Sequence, residues 1–296
     1  MQSYLECIPC FVRQALEAAR LVSGNEQACE QVVRRVLALA AEMDLDQSPP
    51  AMGGRIHRVI RQVTGKDDPY KEIKQKFNAL ALRLYPDLKR LIAGSVKPLE
   101  TAVRLAIAGN IIDFGVSSSL STTEVEEVID DSLTADWDTS QIENFAAAVK
   151  EASRILYLCD NAGEIVFDRL LVEQLPCEKI TCVVKGAPVI NDATMEDAEI
   201  TGLTEVVEVT ENGSDNPGTI LETCSEGFRR RFDEADLIIA KGQGNYETLS
   251  DVDRNVFFIL KAKCPVIARH LGCEVGTMIL RRSKAFDNIV DLVKGD

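Results

Sequence analysis

Acidic and amide side chains follow a buried apolar run near the middle of the chain, in the segment ILYLCDNAGEIVFDRLL. Residues 155–159 are typical of a buried parallel strand, and the apolar residues after the turn recur at helical spacing. Asp160 and Asn161 offer hard oxygen ligands, which suit Mg²⁺ or Mn²⁺, and Glu164 follows at the start of the helix. Open α/β sheets bind ligands beyond the carboxyl ends of strands, where this turn would lie. The turn therefore predicts a metal site, although Asp160 or Asn161 could equally serve only to cap the helix.

Polar or glycine-rich segments also follow the strands that we predict at 179–184, 205–209 and 236–240, and they read PVINDAT, ENGSDNPGT and KGQGNYE. Parallel strands bring their carboxyl ends to one edge of a sheet. At such an edge, carboxylates bind a cation, glycines let the backbone approach a ligand, and a lysine can face a phosphate. The residues that we expect there are the metal ligands Asp160, Asn161 and Asp192 and the phosphate contacts Gly213, Lys241 and Gly242.

A nucleotide cofactor is a weaker interpretation of the segment KGQGNYE. Gly242 and Gly244 partly match a dinucleotide fingerprint, but Glu247 occupies the position of the third glycine. The charge pattern favours a single phosphate held by a metal and a lysine, and therefore a small phosphorylated metabolite. A covalent phosphoaspartate at Asp160 ranks lower, because Ala162 stands where such enzymes carry a second aspartate.

The two halves of the chain carry different hydrophobic periodicities. Up to about residue 150 the spacing is helical, with helices expected at 122–133 and 139–152 and a kink or break at Pro86. After that point strands alternate with helical connections, and a fifth strand is expected at 264–268. We therefore predict an α/β fold, a Rossmann-like three-layer sandwich with a mostly parallel sheet, preceded by an all-helical N-terminal region. The predicted domains are residues 1–150, a helical domain that covers the site, and residues 151–296, a domain that binds metal and phosphate.

The helix PLETAVRLAIAGNIIDFG is apolar on almost every side, yet it carries Asn110 and Asp113 three residues apart. Burying a carboxylate there would cost several kcal/mol without a cation or a donor. We therefore expect this helix to close over the metal edge of the sheet, with Asn110 near the phosphate. The alternative is that Asp113 caps a neighbouring helix or pairs with Arg104.

Composition limits the partners and the compartment. The formal net charge of −14 repels nucleic acid and anionic membranes, so neither is an expected partner. Nine cysteines, an odd number and partly inside apolar runs, favour buried thiols in a reducing compartment over a disulfide scaffold. The N-terminus lacks the pattern of a signal peptide, and no apolar stretch approaches the ~18 residues of a membrane span. We expect a soluble cytoplasmic protein.

Cys7 and Cys10 form a CxxC pair at the N-terminus. Such a pair serves as a redox dithiol, contributes half of a metal site, or simply packs at the start of a helix. His57 is the histidine that could join the two thiols, although a packed or capping histidine is the more common case. All of these interpretations remain open from the sequence.

Several of these segments together resemble one family. The turn DNAGE and the segments VINDAT and KGQGNYE, in that order on successive strand ends, resemble the metal-dependent damage-control phosphatases, long known as domain of unknown function eighty-nine. AIAGNIIDFG and HRVIRQVTGKDDPYKEIKQKFN also look like that family, so the resemblance covers most of the chain. It implies hydrolysis of sugar phosphates or damaged phosphometabolites, with metal held by Asp160, Asn161 and Asp192. The CxxC pair looks like the short archaeal and bacterial subfamily.

The resulting hypothesis is metal-assisted hydrolysis with Mn²⁺, Mg²⁺, Co²⁺ or Ni²⁺ as the cofactor. Asp160 would act in catalysis through the metal, and Asp113 or Glu164 would orient the attacking water. A second hypothesis is an adenosyl-cofactor methyltransferase, although the glycine-rich loop expected after the first strand is missing. A third is a metal-dependent protein that binds a metabolite without turnover.

Overall fold

Alternation between buried β-branched or aromatic strands and short helices builds the second half of the chain. The computed structural model describes residues 1–111 and 122–286. Among these residues, six strands form one sheet. The strands are β1 (Ile155–Leu158), β2 (Ile180–Val184), β3 (Glu208–Glu211), β4 (Leu237–Lys241), β5 (Val256–Lys261) and β6 (Met278–Arg282).

The sheet has the order β3-β2-β1-β4-β5-β6, in which β1 to β5 are parallel and β6 is antiparallel to β5. The chain first proceeds from β1 toward β3 and then returns to the other side of β1 to form β4. This reversal creates a crevice at the carboxyl ends of β1 and β4, where ligands of doubly wound sheets bind. The predicted Rossmann-like, mostly parallel sheet is confirmed.

Helices make up the first half and cover the sheet. No helix among the described residues is long and apolar enough to cross a lipid bilayer. The described helices are α1 (Cys7–Ser23), α2 (Glu26–Ala41), α3 (Pro49–Thr64), α4 (Lys71–Gly94), α5 (Pro98–Ile111), α6 (Thr122–Thr134), α7 (Ser140–Glu151), α8 (Glu164–Val172), α9 (Met195–Ile200), α10 (Glu226–Glu234), α11 (Gly242–Leu249) and α12 (Pro265–Leu271).

Each strand supplies both faces of the sheet through its alternating side chains. In β1, Ile155 and Tyr157 join a core with α4 to α9, whereas Leu156 and Leu158 join a second core with α10 to α12. Helices α1 to α3 enclose a third core of their own. The apolar core that contains α4 to α7 thus continues into the sheet, and the predicted boundary at residue 150 stays a prediction.

One local prediction is wrong, and the prediction of a kink or break at Pro86 is wrong as to the break. Residues 264–268 do not form a strand; they begin α12, because Pro265 takes the first helical position, where its missing N–H is not needed. The strands at this side of the sheet are β5, from the apolar run VFFILK, and β6. Pro86 does not break its helix, since α4 runs through it from Lys71 to Gly94.

A buried ion cluster ties α4 to the α/β part of the chain. Lys74 is 3% exposed, and its ammonium lies 3.0 Å from Asp197 and 3.1 Å from Asp68. Burial alone would lower the pKa of Lys74, but the two carboxylates outweigh it and raise that pKa. Asn78 on the same helix donates to Asp197 and accepts from the backbone N–H of Gly163. Helix α4 therefore supports the turn that follows Asp160.

Replacing Lys74 with methionine should destabilise the protein strongly. The variant Lys74→Met leaves Asp197 and Asp68 without their cation, and breaking a buried pair in this way costs about 3–5 kcal/mol. Lys71→Met is a matched control, because Lys71 is also on α4 but forms an exposed pair, with Glu196 of α9. Its loss should cost about 0–1 kcal/mol. Urea unfolding measures both free energies, and equal losses would contradict the assignment.

Candidate functional site

The candidate site lies at the carboxyl ends of β1 and β2, where backbone hydrogen bonds join two loops. Asn161 and Asp192 form an isolated antiparallel bridge. The N–H of Ala193 donates to the carbonyl of Asp160 at 2.8 Å, and that of Ala162 to the carbonyl of Asn191 at 2.8 Å. The structure therefore brings Asp160 and Asn161 together with Asp192, which lies more than thirty positions later in the sequence.

Helix α5 reaches this site through Asn110. The Nδ2 of Asn110 donates to Asp160 at 2.9 Å and to Glu164 at 3.1 Å, and the Nδ2 of Asn161 donates to the same two carboxylates. Asn110 is fully buried, and its Oδ1 has no hydrogen-bond partner in the described part of the chain. Asp113, which the sequence places on the same helix face as Asn110, lies outside the described residues. Its alternative partner, Arg104, pairs with Glu100.

Lys241 lies directly beneath the site and is 0% exposed. Its ammonium donates to the carbonyl of Ala106 at 3.0 Å, to Oε1 of Glu164 at 2.7 Å and to Asp168. These acceptors use all the hydrogens that an ammonium carries. Contact between Lys241 and a phosphate therefore stays a prediction that would require one of these bonds to be exchanged.

Charge in this buried cluster is balanced around Lys241. Burial alone would lower the pKa of Lys241, but the charges and hydrogen bonds of Asp168 and Glu164 outweigh it and raise that pKa above its usual range. Burial raises the pKa of Asp168 to about 6, although Lys241 and the hydroxyl of Tyr157 oppose the shift. The ammonium is thus charged at neutral pH and compensates the carboxylates behind the site.

Gly242 allows Asp160 to approach the start of α11. Its φ is +78°, and a Cβ built on it would lie 1.8 Å from Oδ2 of Asp160. The predicted role of Gly242 was contact with a phosphate, whereas in the structure it borders the carboxylate of Asp160. Gly213, with a φ of +75°, packs against Ser225 and the backbone of Gly186, so its contact with a ligand also stays a prediction.

The sequence interpretation missed Lys185. This lysine directly follows β2, is 3% exposed, and lies 3.3 Å from Oδ2 of Asp192. It also donates to the carbonyl of Gly218. The sequence does contain a pattern that could have identified it. A Lys-Gly pair follows the apolar run of β2 as Lys185-Gly186, just as Lys241-Gly242 follows the apolar run of β4. Lys185 is therefore a cation of the site itself.

Helix α3 contacts the same edge from the N-terminal side. Arg58 and Arg61 each lie 2.6 Å from a different oxygen of Asp215, and Arg61 also donates to the carbonyl of Pro188. Burial alone would raise the pKa of Asp215, but the two guanidinium groups outweigh it and lower that pKa. These contacts hold the loops after β2 and β3 against α3.

The structure does not assemble Cys7, Cys10 and His57 into a metal site. Within residues 1–111 and 122–286, no group of three or more His, Cys, Asp and Glu side chains could hold a metal. His57 is buried in α3 beside Tyr70, and burial lowers the pKa of His57 to about 3. The metal interpretation of these three residues is wrong, because they do not form such a group.

Glu247, on α11, is a buried acid near the N-terminus of the chain. Burial raises its pKa to about 7, although a hydrogen bond from Gln243 and the N-terminal ammonium oppose the shift. The ammonium of Met1 donates to the carbonyl of Glu247 at 2.9 Å and lies 2.9 Å from Asp251. The first residues of the chain are thereby held against the helix that starts beside Asp160.

The chain matches the model of the damage-control phosphatase ARMT1-like domain over residues 3–279. It is 37% identical to a damage-control phosphatase of Archaeoglobus fulgidus, across 93% of this chain and 97% of that one. It is 39% identical to a protein of Methanocaldococcus jannaschii across 93% of each chain. The chain belongs to the damage-control phosphatase ARMT1-like family, as its segments predicted.

A solved structure supports the same assignment. The crystal structure of a DUF89 family protein of Pyrococcus horikoshii superposes with a TM-score of 0.86 at 34% identity, and the match covers 96% of this chain and 100% of that one. The sequence of the Pyrococcus horikoshii damage-control phosphatase PH1575 is 37% identical over 96% of this chain. The narrower assignment to a CxxC subfamily stays a prediction.

Alanine at position 242 should disturb the site more than its backbone strain alone explains. Gly242→Ala would drive its Cβ into Asp160. Gly272 has a similar φ of +71°, but a Cβ there would meet no atom of the described residues within 4 Å. We expect Gly272→Ala to lose about 1–2 kcal/mol of unfolding free energy and Gly242→Ala to lose clearly more. Denaturant titrations of both variants measure the difference; losses of the same size would contradict the contact.

Stability should depend on pH through Glu247. Because its pKa is higher in the folded protein, about 7 against an ordinary 4.5, the folded state binds the proton more tightly. This contribution is fully present below about pH 4.5 and is lost as pH rises to about 7, at about 1.4 kcal/mol per pKa unit, or about 3 kcal/mol in total. Glu247→Gln should remove it.

The measurement is the unfolding free energy of wild type and Glu247→Gln at several pH values between 4.5 and 7. The contribution of His57 has the opposite sign, because its pKa is lowered, but it is common to both proteins and cancels in the difference. The stability of wild type relative to the variant should fall with increasing pH. A constant difference over this range would show that Glu247 does not titrate there.

Proposed function

We propose that the protein is a divalent-metal-dependent phosphatase that hydrolyses small phosphorylated metabolites, such as sugar phosphates or damaged phosphometabolites. The observation that carries the proposal is the convergence of Asp160, Asn161 and Asp192 at the switch point of the sheet. It lies beside the Oδ1 of Asn110, which has no hydrogen-bond partner among the described residues. Membership of a damage-control phosphatase family supports the phosphatase over the methyltransferase hypothesis. Two archaeal relatives carry that phosphatase name.

The residues present fit a hard divalent cation. Two carboxylates and the amide oxygen of an asparagine are ligands that Mg²⁺, Mn²⁺ and related ions accept. The buried Oδ1 of Asn110 is a further oxygen that has no protein donor in the described residues, and a buried polar atom of this kind requires a partner. Asp160, Asn161 and Asp192 would hold the cation, with Asn110 next to it.

When bound, the cation lowers the pKa of a coordinated water and neutralises charge on the phosphoryl oxygens. The protein's own part is to orient Asp160 through the amides of Asn110 and Asn161. Glu164 accepts hydrogen bonds from both amides and from Lys241, so we assign it a positioning role. Orientation of the water by Asp113 remains a proposal from the sequence.

Lys185 gives the site its positive charge. It lies beside Asp192 and is buried, where an ammonium interacts with a nearby anion more strongly than it would in water. We propose that Lys185, rather than Lys241, is the lysine whose charge acts on the substrate phosphate. Lys241 instead compensates Glu164 and Asp168.

We also infer a cytoplasmic location. All nine cysteines are free thiols, and free thiols persist in a reducing compartment. The negative net charge supports a small anionic substrate held by a local metal over nucleic acid as a partner.

A screen of sugar phosphates and phosphorylated intermediates, read by release of inorganic phosphate, tests the function. Each compound is incubated with the metal-free protein and with added Mg²⁺, Mn²⁺, Co²⁺ or Ni²⁺. We expect phosphate release only in the presence of metal. Tight binding of metal and phosphate ester without release would support a binding protein, and methyl transfer from an adenosyl donor would support the methyltransferase.

Substitutions of the three proposed metal ligands should show that the carboxylates contribute more than the neutral amide. Asp160→Ala and Asp192→Ala should each reduce kcat/KM by more than about 100-fold, and Asn161→Ala should reduce it less, because a neutral amide contributes less to a cation than a carboxylate. Asp236→Asn is the control, since Asp236 accepts from the backbone at the opposite edge of the sheet.

Calorimetric titration with Mn²⁺ provides a readout that does not depend on turnover. Metal affinity should fall in Asp160→Ala and Asp192→Ala and remain unchanged in Asp236→Asn. Wild-type metal affinity in either of the first two variants, with an intact circular dichroism spectrum, would refute the proposed ligands.

A further inference from the structure

Cys7 and Cys10 begin the first helix of the chain and are not part of the proposed phosphatase site. Both are free thiols in the first turn of α1, and Cys10 is exposed whereas Cys7 is half-buried. Side chains three positions apart lie on the same side of a helix, with Cβ atoms about 5–6 Å apart. A disulfide needs Cβ atoms about 3.5–4.5 Å apart, which is about 1–2 Å closer. A small adjustment of this turn would therefore join the two sulfur atoms.

The surroundings of the two thiols differ in a way that suits thiol exchange. The guanidinium Nη2 of Arg13 lies 3.9 Å from the Sγ of Cys10, so this exposed thiol has a positive charge beside it. Cys7 faces inward, and burial raises its pKa, with smaller contributions from Glu247 and Cys264. An exposed thiol beside a cation and a sheltered thiol next to it match the attacking and resolving members of a dithiol pair.

The inner side of the pair is closed by the helix that starts beside Asp160. Gln243 donates to Glu247 at 3.0 Å and to the Sγ of Cys264 at 3.7 Å, the two groups whose charges act on Cys7. Glu6, immediately before Cys7, pairs with Arg269 on α12. The ion pair of Glu6 thus ties the start of α1 to α12, and the helix itself keeps Cys7 within reach of Cys10.

We propose that Cys7 and Cys10 form a thiol–disulfide exchange site for small-molecule disulfides. The thiolate of Cys10, after losing its proton to solvent, attacks one sulfur of a disulfide RSSR and releases RS⁻. The thiol of Cys7 then loses its proton and attacks the Sγ of Cys10, which releases the second RS⁻. Both leaving thiolates take up protons. In total two protein thiols are oxidised to one disulfide and RSSR is reduced to two RSH.

The test uses the reduced full-length protein in buffers of increasing oxidised-to-reduced glutathione ratio. Samples are quenched in acid, alkylated, digested and analysed by mass spectrometry. We expect a Cys7–Cys10 crosslink that forms as the ratio rises and is reversed by dithiothreitol. Cys7→Ser should accumulate a glutathione adduct on Cys10, and Cys10→Ser should form adducts at Cys7 on the order of tenfold more slowly than Cys7→Ser forms them at Cys10, because the remaining thiol is sheltered.

Cys177→Ser is the matched control, since Cys177 is also half-buried but lies before β2 and bonds to the carbonyl of Val172. This variant should form the crosslink as wild type does. The proposal is overturned if both N-terminal thiols of the folded protein remain fully alkylated in the most oxidising buffer, or if Cys7 pairs with Cys264 instead of Cys10. The readout is independent of phosphatase activity, so failure of either proposal leaves the other intact.

Discussion

The buried ammonium of Lys241 is the interaction on which the site depends. It joins the end of β4 to α8 through Glu164 and Asp168, and to α5 through the carbonyl of Ala106. Two carboxylates at this depth would be strongly unfavourable without a cation. Lys241 supplies that cation, and Glu164 accepts the amide hydrogens of Asn110 and Asn161 beside Asp160. The proposed chemistry at the surface of the cleft thus rests on charge compensation beneath it.

The order of the strands explains why this cluster forms where it does. Asp160 follows β1 and Lys241 ends β4, and these strands are neighbours although about eighty residues separate them. From β1 the chain continues to one side of the sheet, and from β4 it continues to the other. The loops that follow these two strands therefore diverge and leave a gap between them. The cleft is completed by α5 through Asn110 and by the loop that carries Asp192. No element contributes the whole set of polar groups, so the site exists only when all of them pack.

The N-terminal helices stabilise the site without belonging to the sheet. Lys74 on α4 satisfies Asp197 in the α/β part, and Asn78 holds the backbone of Gly163 in the turn after Asp160. Arg58 and Arg61 on α3 hold the loops that follow β2 and β3. These are buried or half-buried ionic contacts with specific geometry, which favours one arrangement of the helices on the sheet over others. The helical region is therefore part of the scaffold for the loops.

The sequence by itself determined the fold class, the position of strands β1, β2 and β4, and the polar turns after them, because hydrophobic periodicity and turn residues are local properties. It also marked Asp160, Asn161 and Asp192 by residue type. Local patterns could not distinguish the buried start of α12 from a strand, since short apolar runs suit both. Only the tertiary structure decided that Lys241 faces two carboxylates, that Lys185 lies beside Asp192, and that His57 is buried beside Tyr70. Those pairings join residues far apart in sequence. The role of a buried charged side chain depends on the partner that the fold places beside it.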